Sequence, residues 1–162
     1  MPRKRSSEPT AQGGRETALR LLSRREHAAA ELKYKLVRRG HDESTAADIV
    51  GQLAGAGWQS DARYAGMLVR SRVEQGYGPL RIRAELEAAR VPESEIRAAL
   101  DAAEVDWAVR AASVHARKFR DAARTPAEWQ KQYRHLAMRG FEAAQIRAAL
   151  KRSGARTPDD AD

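Results

Sequence analysis

The sequence repeats itself with a period of about 50 residues, and this repeat restricts the possible folds more than any other feature. The pentapeptide I-R-A-A-L occurs at 96–100 and again at 146–150. The same shift pairs Leu86 with Leu136, and Leu36 lies one further period upstream. Periods of this size are typical of proteins that stack one short structural unit several times. The chain is therefore predicted to be a tandem array of three related units.

The residue pattern inside each unit indicates helices. Apolar residues recur three and four positions apart, as in Ile96 and Leu100, and glycine or proline marks the ends of these stretches at Gly40, Pro79 and Gly140. Each predicted helix is too short to be stable alone in water, so its apolar stripe must pack against neighbours. We predict an all-α fold of three three-helix repeats, elongated and curved because stacked units contact only their neighbours.

The predicted units span 15–57, 58–103 and 104–153, between a basic tail at 1–14 and an acidic tail at 154–162. Both tails are expected to be disordered, because they carry little apolar surface. Leu36 and Ile49 are 13 positions apart, against ten in the other units, which we interpret as a three-residue insertion in the second connection of the first unit. The common shift also pairs residues 69–70 with 119–120 in the first helices.

The charge of the chain lies in its predicted folded part. Thirty Lys and Arg residues against 22 Asp and Glu residues give a net charge of +8 and a pI near 10.3. The two tails carry opposite and equal net charges, so the whole excess falls in residues 15–153. A folded region this basic favours an acidic or polyanionic partner. The alternative reading is a surface that is only charged for solubility.

Several function classes are excluded or disfavoured by composition. The chain has no cysteine, which excludes disulfides, thiolate catalysis and cysteine-ligated metal sites. None of the four histidines has the spacing of a zinc motif, and no phosphate-binding glycine loop is present. We therefore predict no enzymatic activity and no cofactor. No signal peptide or membrane-spanning stretch is apparent, so a cytoplasmic protein without a membrane partner is expected.

Basic and aromatic residues are the candidates for binding a partner. The predicted contact residues are Arg70, Arg72, Tyr77, Arg81, Arg83, Arg117, Lys118 and Arg120. Two arginines that are two apart on a helix cannot share one face, so at least one arginine in each such pair is expected to pair with Glu74, Glu85 or Glu87 instead. Tyr77, between two glycines, is predicted either to anchor a partner or, with a slight preference, to pack across a helix junction. The remaining aromatic residues expected in the core are Trp58, Tyr64, Trp107, Phe119 and Trp129.

Several segments together resemble the bacterial RecX family over residues 15 to about 152. They are A-L-R-L-L-S-R-R-E-H (18–27), E-L-K-Y-K-L-V-R-R-G (31–40), G-W-Q-S-D-A-R-Y-A (57–65), V-R-S-R (69–72), G-Y-G-P-L-R-I-R-A-E-L (76–86) and M-R-G-F (138–141). The G-Y-G-P segment after V-R-S-R is the most specific. Two positions depart from the family pattern: His41 follows a glycine where an apolar residue is more usual, and Arg90-Val91 replaces a glycine-containing turn.

The resemblance implies a regulator without cofactor or catalysis. RecX-like proteins bind the RecA recombinase, lie in the groove of its nucleoprotein filament and limit filament growth. They thereby restrain strand exchange, ATP hydrolysis and the coprotease activity, and so affect DNA repair and the SOS response. A monomer with weak, sequence-independent binding to single- or double-stranded DNA is expected. One alternative is a basic helical protein that acts directly on DNA, and another is a helical scaffold for a different acidic protein.

Overall fold

The computed structural model describes residues 9–160, and all regular secondary structure in this range is helical. The α-helices are α1 (Ala11–Arg24), α2 (Ala29–Arg38), α3 (Glu43–Gly55), α4 (Asp61–Glu74), α5 (Pro79–Ala88), α6 (Glu93–Ala102), α7 (Trp107–Lys118), α8 (Pro126–Met138) and α9 (Ala143–Arg152). A 3-10 helix follows at Pro158–Asp160. None of the helices between residues 9 and 160 is long and apolar enough to cross a membrane.

The helices form three consecutive units with a core each. Helices α1–α3 enclose the first core, α4–α6 the second and α7–α9 the third, and the extensive helix–helix contacts fall within these groups. Leu36, Leu86 and Leu136 are fully buried, one in each core. Ala28 packs into the second core although it precedes α2, and Trp107 contacts both the second and the third core. The predicted all-α array of three three-helix units is confirmed.

The second helix of every unit ends in the same way, which explains the repeat in the sequence. Positive φ angles occur at Gly40 (99°), Arg90 (58°) and Gly140 (95°). The N–H of the next residue, at 41, 91 and 141, donates to the carbonyl of the leucine five positions back. This Schellman arrangement satisfies the last carbonyls of the helix and turns the chain into the third helix. His41, Val91 and Phe141, the residues after the turn, are all buried.

The predicted insertion in the first unit is wrong. The connection between α2 and α3, residues 39–42, is as long as its counterparts at 89–92 and 139–142. The three additional residues extend the C-terminal end of α3, which is 13 residues long where α6 and α9 have ten. Ala46, not Ile49, therefore occupies the position of Ile96 and Ile146. The sequence comparison matched Ile49 to Ile96 and Ile146 because the equivalent residue, Ala46, is small and the large Ile49 follows it one helical turn later.

The first helix of the third unit is also displaced from the common shift. Ser60 caps α4 and Asp106 caps α7, so the two helices align four residues short of the shift that relates the other elements. Val69 then corresponds to His115, and the predicted matches of 69–70 with 119–120 are wrong. The difference is recovered in two places. The connection between α7 and α8, residues 119–125, is longer than the connection 75–78 between α4 and α5, and α8 is itself longer than α5, with 13 residues against ten.

The chain ends are more structured than predicted. Helix α1 begins at Ala11, because the Thr10 hydroxyl accepts a hydrogen bond from the Gly13 N–H (3.0 Å) and caps it. Residues 11–14 are thus helical and not part of a tail. At the other end, Ala155 packs against the third core and a 3-10 helix follows. The predictions for residues 1–8 and 161–162 lie outside the described residues.

One aromatic residue predicted in the core is on the surface. Trp58 is 59% exposed, whereas Trp129 is buried and Tyr64 and Trp107 lie half-buried against their cores. Phe119 is half-buried too, with its ring against those of His115 and His135. Gly57 turns the chain after α3 with a φ of 81°, and Gln59 takes the buried place behind it. The Gln59 side chain donates to the carbonyl of His27 (3.1 Å). A hydrogen bond between two units, across 32 residues of chain, therefore holds Gln59 and not Trp58 on the inside.

Candidate partner-binding surface

Two of the predicted contact residues are engaged in ion pairs inside the second unit. Arg72 on α4 donates to Glu85 on α5 at 2.8 Å, and Arg83 on α5 pairs with Glu93 on α6 at 2.7 Å. The expectation that one arginine of each pair binds Glu74, Glu85 or Glu87 is thus confirmed for residues 70 and 72. In the pair 81 and 83, Arg83 binds Glu93 instead, which is not one of the three predicted glutamates. Partly exposed pairs of this kind contribute about 0–1 kcal/mol each. Their main effect here is to join the three helices of the unit on its surface.

Tyr77 packs between two arginines at the boundary of the second and third units. The guanidinium carbon of Arg81 lies 3.9 Å from the Tyr77 ring centroid, and that of Arg139 lies 4.2 Å from it. Arg139 also donates through Nε to the carbonyl of Gly76 (3.2 Å) and through Nη2 to that of Gln75. The preferred prediction, packing across a helix junction, is confirmed. Cation–π contacts of this kind contribute about 0.5–2 kcal/mol each.

The backbone on either side of Tyr77 completes this joint. The Gly78 N–H donates to the carbonyl of Arg139 (2.8 Å), and the Leu80 N–H donates to that of Gly140 (2.9 Å). N–H groups at the start of α5 and carbonyls of the turn that follows α8 thus satisfy each other. A Cβ atom at Gly78 would lie 2.5 Å from the Phe141 nitrogen and closer still to the Gly140 carbonyl. Only glycine permits this approach.

A further arginine from the third unit strengthens the same joint. Arg110 on α7 donates through Nη2 to the carbonyl of Val73 (2.6 Å) at the end of α4. With Arg139, two guanidinium groups meet the C-terminal end of α4, where the helix dipole favours positive charge. The sequence contains no indication of this role for Arg110. The only local signal was the pair of glycines around Tyr77, and its partner segment is about 60 residues away.

The first and second units are joined by side chains rather than by backbone. Asp61 at the start of α4 accepts a hydrogen bond from the Ala29 N–H (2.9 Å) and so caps α2 of the first unit. Arg63 pairs with Glu26 at 2.9 Å and donates to the carbonyl of Gly57 (2.8 Å). Asp61 and Arg63 therefore hold two units together, a function that the sequence pattern did not reveal.

The other predicted contact residues are available to a partner. Arg70, Arg117, Lys118 and Arg120 are exposed and form no ion pair within 4 Å among the described residues. Arg70 lies in the second unit beside a shallow groove of about 610 Å³ between α4 and α6. The other three lie at the end of α7 in the third unit. The eight predicted residues therefore form two sets. The structural set makes contacts inside the chain and consists of Arg72, Tyr77, Arg81 and Arg83, and the free set consists of Arg70, Arg117, Lys118 and Arg120.

The free set is extended in the third unit by two residues that the sequence analysis missed. Arg124 and Lys131 line a groove of about 480 Å³ together with Lys118 and Arg120. These residues come together because the long connection 119–125 folds back over the start of α8. In the range 9–160 there is no group of three or more His, Asp or Glu residues arranged to hold a metal ion.

Fold and site together define a class: a tandem array of three-helix units with joints between them and unpaired basic residues on the second and third. Three family models match consecutive parts of the chain: the first three-helix domain of RecX at 15–53, the second at 60–100 and the third at 104–150. The chain belongs to the RecX family, as its motifs predicted.

Curated relatives agree over most of the chain. It is 45% identical over 138 residues to the regulatory protein RecX of Halorhodospira halophila, covering 83% of this chain and 84% of that protein. It is 40% identical over 161 residues to the regulatory protein RecX of Stenotrophomonas maltophilia, covering 99% and 96%. The crystal structure of RecX from Lactobacillus salivarius has the same fold, with a TM-score of 0.76 and 20% identity over 89% of this chain and 96% of that one.

Proposed function

We propose that the chain is a negative modulator of the RecA recombinase. Bound as a monomer along the groove of the RecA nucleoprotein filament, it limits filament growth and so restrains strand exchange, ATP hydrolysis and coprotease activity. The cellular consequence is control of recombinational DNA repair and of the SOS response. Membership of a family whose curated relatives are named regulatory proteins supports the regulatory role. Occupation of a groove requires no catalytic group and no cofactor.

The distribution of basic side chains is the observation that best supports this proposal. The unpaired residues lie on two consecutive units, Arg70 on the second and Arg117, Lys118 and Arg120 on the third. The joint at Gly78 and Gly140 fixes these two units relative to each other. An extended basic surface of fixed shape suits a long groove whose walls are acidic protein and whose axis is DNA.

The predicted residues are proposed to act in two ways. We propose that Arg70 and Arg117 contact the filament, because their charges are not neutralised within the chain. Arg72 and Arg83 are proposed to act indirectly, since their ion pairs hold α4, α5 and α6 together. Tyr77 and Arg81 are proposed to act through the joint. Substituting any of the indirect set is expected to reduce stability together with inhibition.

The direct test is RecA-catalysed ATP hydrolysis on single-stranded DNA, with this protein added well below one molecule per RecA. Inhibition at such ratios is expected, because one bound molecule can stop growth of a whole filament. Inhibition that appears only near one molecule per RecA indicates coating of the groove or competition for DNA. No inhibition at any ratio, with both proteins folded, contradicts the proposal.

A matched pair of variants tests the assigned surface. Arg70→Glu is expected to raise the concentration needed for half-inhibition by about tenfold, because it turns an attraction into a repulsion. Arg20→Glu is the control, since Arg20 lies ten residues after the cap of α1 as Arg70 does after that of α4, and both are exposed. Equal losses in the two variants would show that only net charge matters.

A second candidate function is direct binding to DNA, which the basic groove of the third unit favours. Lys118, Arg120, Arg124 and Lys131 surround that groove on the side of the long connection. Binding that depends steeply on salt and is indifferent to sequence is expected from such a surface. A sharp preference for one duplex sequence would instead support a helix-turn-helix type of reader.

A further inference from the structure

The two joints between neighbouring units differ at one residue position. At the joint of the second and third units, Gly140 follows α8 and meets the start of α5 so closely that a built Cβ would lie 2.5 Å from the Cβ of Arg81. A shift of 50 residues places Arg90 at the corresponding position between the first and second units. Because Arg90 carries a side chain, this joint cannot close in the same way. In the range 9–160, no backbone hydrogen bond connects residues 28–30 with residues 89–90.

A cleft of about 580 Å³, the α2–α5 cleft, lies at this more open joint, between α2 of the first unit and the end of α5 in the second. Two tyrosines and four small or aliphatic side chains form most of its lining: Tyr34, Tyr64, Ala30, Val37, Ala88 and Ala89. Tyr34 is 60% exposed, and the guanidinium carbon of Arg38 lies 5.8 Å from its ring centroid. Tyrosine and arginine beside an apolar pocket are typical of the central contacts of protein interfaces.

The charges around the α2–α5 cleft leave its rim basic. Glu31 is neutralised by an ion pair with Lys35 at 3.3 Å and by a second pair with an arginine of the first unit. Lys33 and Arg90 also line the cleft, and neither has an ion-pair partner within 4 Å in the part of the chain that the structure describes. The one other carboxylate of the lining, Glu43, lies in the first turn of α3, where the helix dipole favours negative charge. The cleft therefore complements a segment that combines an apolar side chain with a negative charge.

Arg90 has a backbone conformation that favours glycine. Its φ angle is 58°, and the corresponding residues of the other units are glycines, Gly40 with 99° and Gly140 with 95°. An arginine in this left-handed region costs stability. Strained residues of this kind concentrate at ligand-binding and other functional sites. Since no acid in the range 9–160 forms an ion pair with Arg90, the strain is not offset by such a pair, and the guanidinium is available to a partner.

We infer that the α2–α5 cleft binds a segment of the partner protein that carries an apolar side chain next to a carboxylate. The apolar side chain enters the cleft beside Tyr34, and the carboxylate pairs with Arg90, whose planar guanidinium can donate two parallel hydrogen bonds to it. The apolar lining between the charges favours a protein segment over the phosphates of a nucleic acid, which lose hydration there without compensation. The inference rests on the proposed function, in which the partner is the RecA filament, and it adds a contact surface on the first two units.

The first test compares two glycine substitutions in RecA-catalysed ATP hydrolysis on single-stranded DNA. Arg90→Gly is expected to raise the concentration needed for half-inhibition about fivefold and at the same time to raise the urea midpoint, because it removes the guanidinium together with the strain. Glu104→Gly is the control, since Glu104 also has a positive φ, 49°, just after α6, and does not line the cleft. This control variant is expected to raise the urea midpoint and to leave inhibition unchanged within about twofold.

The outcomes of this comparison separate the inference from the proposed function. Inhibition by Arg90→Gly that equals inhibition by the unmodified chain would overturn the inference alone. A loss in Arg90→Gln matched by an equal loss in Arg147→Gln, which removes an exposed arginine on α9, would also overturn it, because net charge would then explain the effect. Absence of inhibition by the unmodified chain would refute the proposed function and, with it, the partner assigned to the cleft.

The second test identifies the molecule that enters the cleft. The photoreactive amino acid p-benzoylphenylalanine replaces Tyr34, and in a control chain Trp58, before irradiation on RecA filaments assembled on oligo(dT). The two native side chains are about equally exposed, 60% and 59%, and Trp58 does not line the cleft. A crosslink from position 34 to a RecA peptide that contains Asp or Glu is expected, with little crosslinking from position 58. Crosslinks only within the chain, between its copies or to the DNA would overturn the inference, as would equal crosslinking from both positions.

Discussion

Substituting Gly78 by alanine tests whether the joint between the second and third units has the structure described here. Gly78 has a φ of −90°, which any residue can adopt, so the added methyl group causes no local strain. Its Cβ would nevertheless lie 2.5 Å from the Phe141 nitrogen and closer to the Gly140 carbonyl. The obstacle is backbone, which cannot move aside as a flexible side chain does. The joint must therefore open.

The cost follows from the contacts that are lost when the joint opens. Two backbone hydrogen bonds contribute about 0.5–1.5 kcal/mol each, from Gly78 to Arg139 and from Leu80 to Gly140. The stacking of Tyr77 between two guanidinium groups adds on the order of 1 kcal/mol. A destabilisation of roughly 2–4 kcal/mol is expected in urea unfolding followed by circular dichroism. RecA inhibition is expected to weaken as well, although no charge has changed.

Substitutions at two other glycines distinguish steric overlap between the units from backbone strain. Gly51 lies in α3 with no atom within 4 Å of a built Cβ, so Gly51→Ala is expected to stabilise the chain by about 0.5–1 kcal/mol. Gly154 has a φ of +88° and equally free surroundings, so Gly154→Ala isolates backbone strain, which costs about 1 kcal/mol. If Gly78→Ala destabilises the chain no more than Gly154→Ala, the close approach of the two units is refuted.

Three further predictions concern single positions. Arg90→Gly is expected to stabilise the chain by about 0.5–1 kcal/mol in urea unfolding, because Arg90 has a φ of 58° where the other units have glycine; a loss of stability would contradict this. His115→Val is expected to cost about 1–3 kcal/mol by leaving the buried Oε1 of Gln132 without its partner, whereas adding Gln132→Ile recovers most of it; a double-mutant cycle without coupling would disprove the buried pair. Burial lowers the pKa of His27, whose neutral ring accepts a hydrogen bond from the Lys35 ammonium group, so the free energy of unfolding should fall as pH drops below about 6.5, where the unfolded chain takes up the proton. A urea midpoint that is equal at pH 7.5 and 5.5 would argue against this, as would an equal decrease of the midpoint in the variant His27→Asn.

The helices and their ends were predictable because they depend on nearby residues. Gly40 and Gly140 terminate helices through contacts within six residues, and the resemblance to the family placed the same turn at Arg90-Val91 although it has no glycine there. Where the period itself varied, alignment failed. The extra turn of α3 and the long connection after α7 both preserve the core while changing the count between landmarks. The period alone does not indicate where along a unit such residues are added.

The set of binding residues was only partly predictable for a related reason. Charge and exposure of an arginine follow from its type, but its availability depends on which acid or carbonyl lies beside it in space. Arg72 and Arg83 pair with glutamates on the next helix, and Arg110 and Arg139 reach carbonyls of the preceding unit. Arg124 and Lys131 line the basic groove with Lys118 and Arg120 only because the connection 119–125 folds over the start of α8.

The helical units, their number and the family of the chain can be read along the sequence, since they rest on local propensity and on a recurring pattern. How the units are joined and which charges remain free depends on the packing of distant segments. Gly78 and Gly140 are in contact although about 60 residues of chain separate them. The sequence around either glycine does not show that another backbone segment packs against it. Such contacts arise only when packed cores bring distant segments together, because their distances and shapes are set by the cores and not by the segments themselves.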